Sequence, residues 1–384
     1  MIRLKSIVSL IILACAVLLC SACDADRLGT ADRQLASGDP EYEAQTLQIE
    51  GLLELDGGIA QVSVSELRSL PQQELAASYK RTTGLEEEFF MTGPLLKDVI
   101  SLAGGDMDDY NGIGVIGRDN YYCLLSRDVI DSTPDLLLAV TVDGVAKLDD
   151  DSWPARLAVQ GQFGPYWVKQ VEKLVLYEQV PEKNIVNLWM FAALTEGIAY
   201  NEYEYYGSKD KAVDLEQVFS RLDYVDSKAF FTMKSADGFK KNEAMNVVKS
   251  RYYIKIEGVD APTNVAPYIR LGMNVQKISW FSTNADAMVF PAMLMEYMDT
   301  REINGEKGIP LSEALYEVGV KSVKAAYFDL LGTAGERYQV NGEELENAIL
   351  VPLLGGGAKI VWAEGYEYQD INNLQRIRQA GMRN

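Results

Sequence analysis

From Leu47 onward the apolar positions fall in short bursts separated by glycine, proline and acidic turns. That pattern predicts many short strands and a few short helices rather than long helices. Between Leu47 and Tyr177 two helix starts are legible. One is serine-capped at Val64-Ser65-Glu66-Leu67. The better one runs from Pro94 to Gly105, with proline in the first turn, apolar residues at Leu95, Leu96, Val99, Ile100 and Leu102, and glycine past the end. Strands are predicted at Ile113 to Ile116, Tyr121 to Leu125, Leu136 to Val142, Val145 to Leu148, Arg156 to Val159 and Val168 to Leu176. Asp143-Gly144 is a hairpin signal between the third and fourth of these.

A unit of short helix, strand, glycine turn with an aromatic after it, and strand recurs along the chain. It begins at Leu95. A second copy runs from Asp214-Leu215 through Phe230 to Met233 and Asp237-Gly238-Phe239. A third runs from Pro310-Leu311 through Ala326 to Leu331 and Gly335-Glu336-Arg337-Tyr338. Helix start to turn is 24 residues from Leu95 to Asp119, 22 from Leu215 to Asp237 and 24 from Leu311 to Gly335. The pattern divides the chain into a signal segment 1–22, a flexible tether 23–44, a first domain 45–180 and two degenerate modules, 184–300 and 301–384.

Composition changes the picture mainly through what is missing. The 384 residues carry 36 Lys+Arg against 56 Asp+Glu, a net charge of −20, and no histidine. Without imidazole there is no Ser-His-Asp triad, Cys-His pair or His-ligated metal. So acidic a balance also excludes nucleic acid as an expected partner. Arg3 and Lys5 precede an apolar run of 13 residues, Ile7 to Leu19, which is too short to span a membrane. Ser21-Ala22-Cys23 then resembles a bacterial lipobox, with Cys20 where leucine is usual. The expectation is lipidation at Cys23 and anchoring on the extracytoplasmic face of the membrane in the cell envelope. Cleavage there removes Arg3 and Lys5 and leaves 34 cations against 56 carboxylates, a charge of −22. Of four cysteines, Cys15 and Cys20 lie in the signal and Cys23 carries the lipid, so Cys123 is the one free thiol, read as a buried small hydrophobe.

Five separated segments carry a resemblance: Phe90 to Val99, with Met91-Thr92-Gly93-Pro94; Gly117-Arg118-Asp119-Asn120-Tyr121; Leu138 to Gly144; Pro154-Ala155-Arg156-Leu157; and Gly164-Pro165-Tyr166-Trp167-Val168-Lys169. In order and spacing they resemble the molybdopterin-binding domain of sulfite-oxidase-type oxidoreductases, over Leu47 to about Tyr177. The resemblance implies an α+β fold, a mixed β sandwich or barrel with short helices. It also implies a pterin gripped by backbone amides and cations and a cysteine thiolate on molybdenum.

The departures point elsewhere. The family's cysteine falls in the segment that reads Ser78-Tyr79-Lys80-Arg81-Thr82-Thr83-Gly84, which has no cysteine, and Cys123 lies about 40 residues too late. Neither guanidinium nor hydroxyl replaces a soft thiolate ligand. The signal lacks the Arg-Arg pair by which folded, cofactor-loaded proteins are exported. The expectation is therefore a non-catalytic binding or interaction protein, with a molybdopterin-dependent oxidoreductase as the alternative. Its cofactor and protein partner are unspecified. A small anionic ligand would be held by Arg81, Arg118, Arg156 or Lys169. Gly355-Gly356-Gly357 reads as a plain turn, Tyr200, Tyr203, Tyr205 and Tyr206 as a strand, and Asp149-Asp150-Asp151 as a solvated turn.

Overall fold

Short apolar bursts make short elements. The computed structural model describes residues 39–80, 86–145, 147–149, 152–205, 208–266 and 274–382. Cys23 and Arg81 lie outside them. The described α-helices are four to seven residues long, a few 3-10 turns accompany them, and the rest of the regular structure is β. The class is α+β, dominated by sheets. The strand orders are open, so the expected barrel alternative does not form among the described residues.

In the first segment a five-stranded sheet runs in the order Ile59–Ser63, Thr46–Glu50, Val171–Tyr177, Gly112–Gly117, Tyr122–Ser126. Its first and last strands in chain order pair in parallel, Ile49 opposite Leu174. Alternate residues such as Leu47, Ile49, Val115 and Leu174 enter one core, closed by Leu96, Val99 and Ile100 of helix Leu96–Leu102. At seven residues that helix needs the sheet to be stable. A hairpin, Gln72–Lys80 with Glu86–Pro94, packs beside it. A Cβ at Gly93 would come within 2.0 Å of the Leu138 carbonyl oxygen, so only glycine fits this close approach.

Beyond residue 184 one eight-stranded sheet dominates. Its middle pair, Asn187–Met190 and Asp286–Val289, is parallel and about a hundred residues apart in the chain. Ile278–Ser282 flanks the second of these and Leu374–Met382 the first. The hairpins Phe230–Ser235/Lys240–Ala244 and Ala326–Gly332/Arg337–Asn341 form its two ends. Two four-stranded sheets share one serial order of hairpin beside hairpin. One is Asn201–Tyr205, Ser208–Asp214, Tyr253–Lys255, Thr263–Val265; the other is Arg301–Ile303, Glu306–Pro310, Ala348–Pro352, Ala358–Trp362. The segments Gly117 to Tyr121, Asp237 to Phe239 and Gly335 to Tyr338 each lie at the turn of a hairpin that follows a short helix, with positive φ at Asn120, Gly238 and Gly335.

Three local expectations shift. Helix Val64–Ser69 is capped by Ser63, in a capping box with Glu66, rather than by Ser65. Pro94 ends a strand, and the helix starts at Leu96. Asp143 and Gly144 do turn with positive φ, but the return strand Val145 to Leu148 is reduced to a bridge between Val142 and Val145. The Trp153 indole donates to the Leu148 carbonyl at 2.7 Å, and the Lys147 ammonium pairs with Asp39. Gly355 and Gly356 form the expected turn, and Tyr203 lies in the expected strand.

Candidate functional site

The three described cations of the family-like pattern start from neighbouring backbone. The Arg118 amide donates to the Gln170 carbonyl, the Val171 amide to Ala155, and the Leu157 amide to Val168. Their side chains go to different surroundings. The Arg118 guanidinium donates to Gln45 Oε1 at 2.7 Å. Arg156 is buried, its guanidinium 5.0 Å from the centroid of the Phe89 ring, a cation–π contact. Lys169 is exposed, in the loop after the single turn Gly164–Tyr166. The fourth, Arg81, is outside the described residues. Arg118, Arg156 and Lys169 thus share a backbone neighbourhood but have no partner in common among these contacts.

Cys123 lies in strand Tyr122–Ser126, opposite Val115 and inside the first core. Burial among apolar side chains pushes its thiol up to about 12. At neutral pH a thiol with that value is thiolate only about once in 10⁵ molecules. Among the described residues, no group of three or more Cys, Asp or Glu side chains is placed to hold a metal. This donor set does not fit a molybdenum–thiolate centre.

A buried polar cluster lies where the first segment meets the second. Asn120, at the tip of the first segment's hairpin, donates through Nδ2 to Glu243 Oε2 at 3.2 Å and to the Tyr252 hydroxyl at 3.4 Å. Its carbonyl accepts from the Ala244 amide, and Tyr121 bridges Glu243. Lys241 Nζ lies 2.8 Å from Glu243, both side chains essentially inaccessible. Burial pushes the Glu243 carboxyl up, while Lys241 and the hydrogen bonds from Tyr252 and Asn120 pull it down. Tyr122 stacks on Phe230 with centroids 5.1 Å apart, sealing the junction. Chemically the cluster pins two segments together. Sequence reasoning missed it because Lys240-Lys241-Asn242-Glu243 has no apolar side and reads as a surface strand. The available signal was the placement of those charges directly after the Asp237-Gly238-Phe239 turn.

No family model matches the chain, and no curated protein matches it. Among solved structures it is similar to the sulfane dehydrogenase SoxCD from Paracoccus pantotrophus, with 16% identity and a TM-score of 0.33, over 53% of this chain and 60% of that one. The match thus spans about three fifths of that protein's length.

Proposed function

We propose that the protein is a lipid-anchored, extracytoplasmic binding protein, built on an oxidoreductase-type fold that does not perform molybdenum chemistry. The observation that carries this reading is the state of Cys123. The free thiol of the mature chain is a core side chain held protonated, so the soft ligand that the resembled family requires is lacking. The shared order of the two four-stranded sheets supports a likeness between 184–300 and 301–384, and the hairpin turns that follow a short helix in all three segments support reading both as degenerate copies of the first domain. Such copies would enlarge the binding surface rather than add a reaction centre.

A thiol-reactive chromophore tests the carrying observation. Cys123 should stay unmodified in the folded chain at pH 8 and react within minutes in denaturant. Rapid labelling of the folded chain contradicts the reading. For the anchor, Cys23→Ala should move the protein from the detergent phase to the aqueous phase or leave unprocessed precursor. Unchanged partitioning of that variant contradicts anchoring at Cys23.

A further inference from the structure

A cavity of about 330 Å³ lies on the polar face of the eight-stranded sheet. Strand register builds its floor. Lys234 pairs with Lys240 and Thr232 with Asn242, while Trp280 and Ser282 come from the next strand opposite Lys234 and Thr232. Side chains two apart share a face of a sheet, so these all project the same way. The opposite face carries Phe231, Met233 and Phe281 into a core. The end of helix Leu311–Glu317 and the linker at Lys183 and Ile185 line the remainder.

Charge in this cavity is unbalanced. Glu317 is spoken for: the Lys234 ammonium, the Trp280 indole and the Tyr297 hydroxyl all donate to its Oε1. Burial raises the carboxyl, but those three donors outweigh it and hold it below the usual range. The Lys234 charge is thereby cancelled. Lys183 and Lys240 remain, and among the described residues neither has a carboxylate within ion-pair distance. Lys183 Nζ is ringed by Thr232 Oγ1 at 2.6 Å and by the Ser282 carbonyl and hydroxyl oxygens at 3.0 Å, over the Phe230 ring. Its ammonium is pushed well down, first by burial and then by the like charge of Lys240. Lys240 is lowered by burial and by Lys234, with the Glu317 carboxylate pulling the other way, and it sits at the exposed rim over Trp280.

The hydrogen-bond chain also has a direction. Lys183 donates to Thr232, whose hydroxyl donates to Asn242 Oδ1 at 2.8 Å. The amide nitrogen of Asn242 is therefore not engaged in that contact, and Asn242 lines the cavity together with Lys240. Two lysines whose charged forms burial disfavours, beside the Asn242 amide, form a site where an anion would favour the ammonium forms. The wall supplied by Ile185, Trp280 and Val318 is apolar, and the volume lies at the lower end of the range for small-molecule pockets.

We propose that this cavity binds a small organic acid, its carboxylate held by Lys240 and Asn242 within the field of Lys183 and its apolar body against Trp280. The site is separate from the cations of the family-like segment and goes beyond the reading of the protein as a binding protein. It holds whether or not the chain is anchored or carries molybdenum.

The test is calorimetric titration of the full chain in detergent with benzoate, sulfate and benzyl alcohol. Benzoate should bind saturably with a Kd between about 10 µM and 1 mM, sulfate at least about tenfold more weakly, and benzyl alcohol not measurably. Lys240→Met, at the exposed rim, and Asn242→Leu should each weaken benzoate at least about tenfold, with unchanged circular dichroism. Arg156→Ala should leave it unchanged. Absence of saturable benzoate binding, equal affinity for benzyl alcohol, sulfate matching benzoate, or full affinity in Lys240→Met would each overturn the proposal.

Discussion

Around the first core several cations are paired with carboxylates, whereas in one cavity of the second segment Lys183 and Lys240 face each other without one in ion-pair distance among the described residues. Around the first core, Arg68 pairs with Glu43 at 2.7 Å, Lys173 with Glu50 at 2.5 Å, Lys147 with Asp39 at 2.7 Å, and Arg127 with Asp131 at 2.5 Å. Arg118 adds a hydrogen bond to Gln45, and Arg156 lies on Phe89. In the second segment Lys183 and Lys240 face one cavity with hydroxyls, a carbonyl and aromatic rings around them. The difference teaches that resemblance and binding capacity need not coincide in one chain. Of the family-like cations, Arg118 and Arg156 are engaged within the fold and Lys169 is exposed, while the charge proposed for a ligand lies where no motif announces it.

Breaking the junction between the two regions should have the largest effect. Glu243→Leu leaves the Lys241 ammonium buried with its carboxylate gone, which should lower stability by about 3–5 kcal/mol in urea unfolding. Lys241→Met combined with Glu243→Leu should recover most of that loss, because the uncompensated charge is gone. A double variant as unstable as the single one would show that the hydrogen bonds to Asn120 and Tyr252, rather than the ion pair, set the stability of the junction.

The next comparison sets Arg156→Ala against Lys240→Met. The first should lose about 2 kcal/mol of stability, since the Phe89 contact is buried, with benzoate affinity intact. The second should leave stability nearly unchanged and weaken benzoate about tenfold. The opposite assignment of the two effects would return the ligand to the first segment.

A similar magnitude is expected from the buried thiol. Its folded value is about 12, against about 8.5 for an unfolded cysteine, so the folded chain keeps a proton that the unfolded chain releases. The resulting stability is full below pH 8 and declines as pH rises from about 8.5 toward 12. Between pH 7 and pH 9.5 the wild type should lose about 1.4 kcal/mol relative to Cys123→Ala. Parallel pH profiles would mean that the thiol is accessible in the native state. The smallest effect is local: Ser63→Ala removes one half of the capping box and should cost about 1 kcal/mol without touching either set of cations.

Much of the sheet-rich character was legible because it is local. Asp237-Gly238-Phe239 and Gly335 to Tyr338 announce their hairpin turns through glycine, and helix Leu96–Leu102 announces itself through Val99, Ile100 and the glycines after it. The parallel pairing of Asn187–Met190 with Asp286–Val289 was not legible, since neither strand carries information about a partner so distant in the chain. Nor was Val145 to Leu148, where the Trp153 side chain takes a carbonyl that the pattern assigned to a ladder. The candidate site divides in the same way. Arg118, Arg156 and Lys169 could be named from motif order, whereas Lys183 gains its meaning only when Thr232 and Ser282 surround it.

The measurement that bears most directly on the central claim is the molybdenum and pterin content of the protein purified from its native envelope. A buried, protonated Cys123 predicts molybdenum far below one atom per chain, with no change on Cys123→Ser. Stoichiometric molybdenum in the native protein, lost in Cys123→Ser, would contradict the account and make this chain an enzyme of the family it resembles.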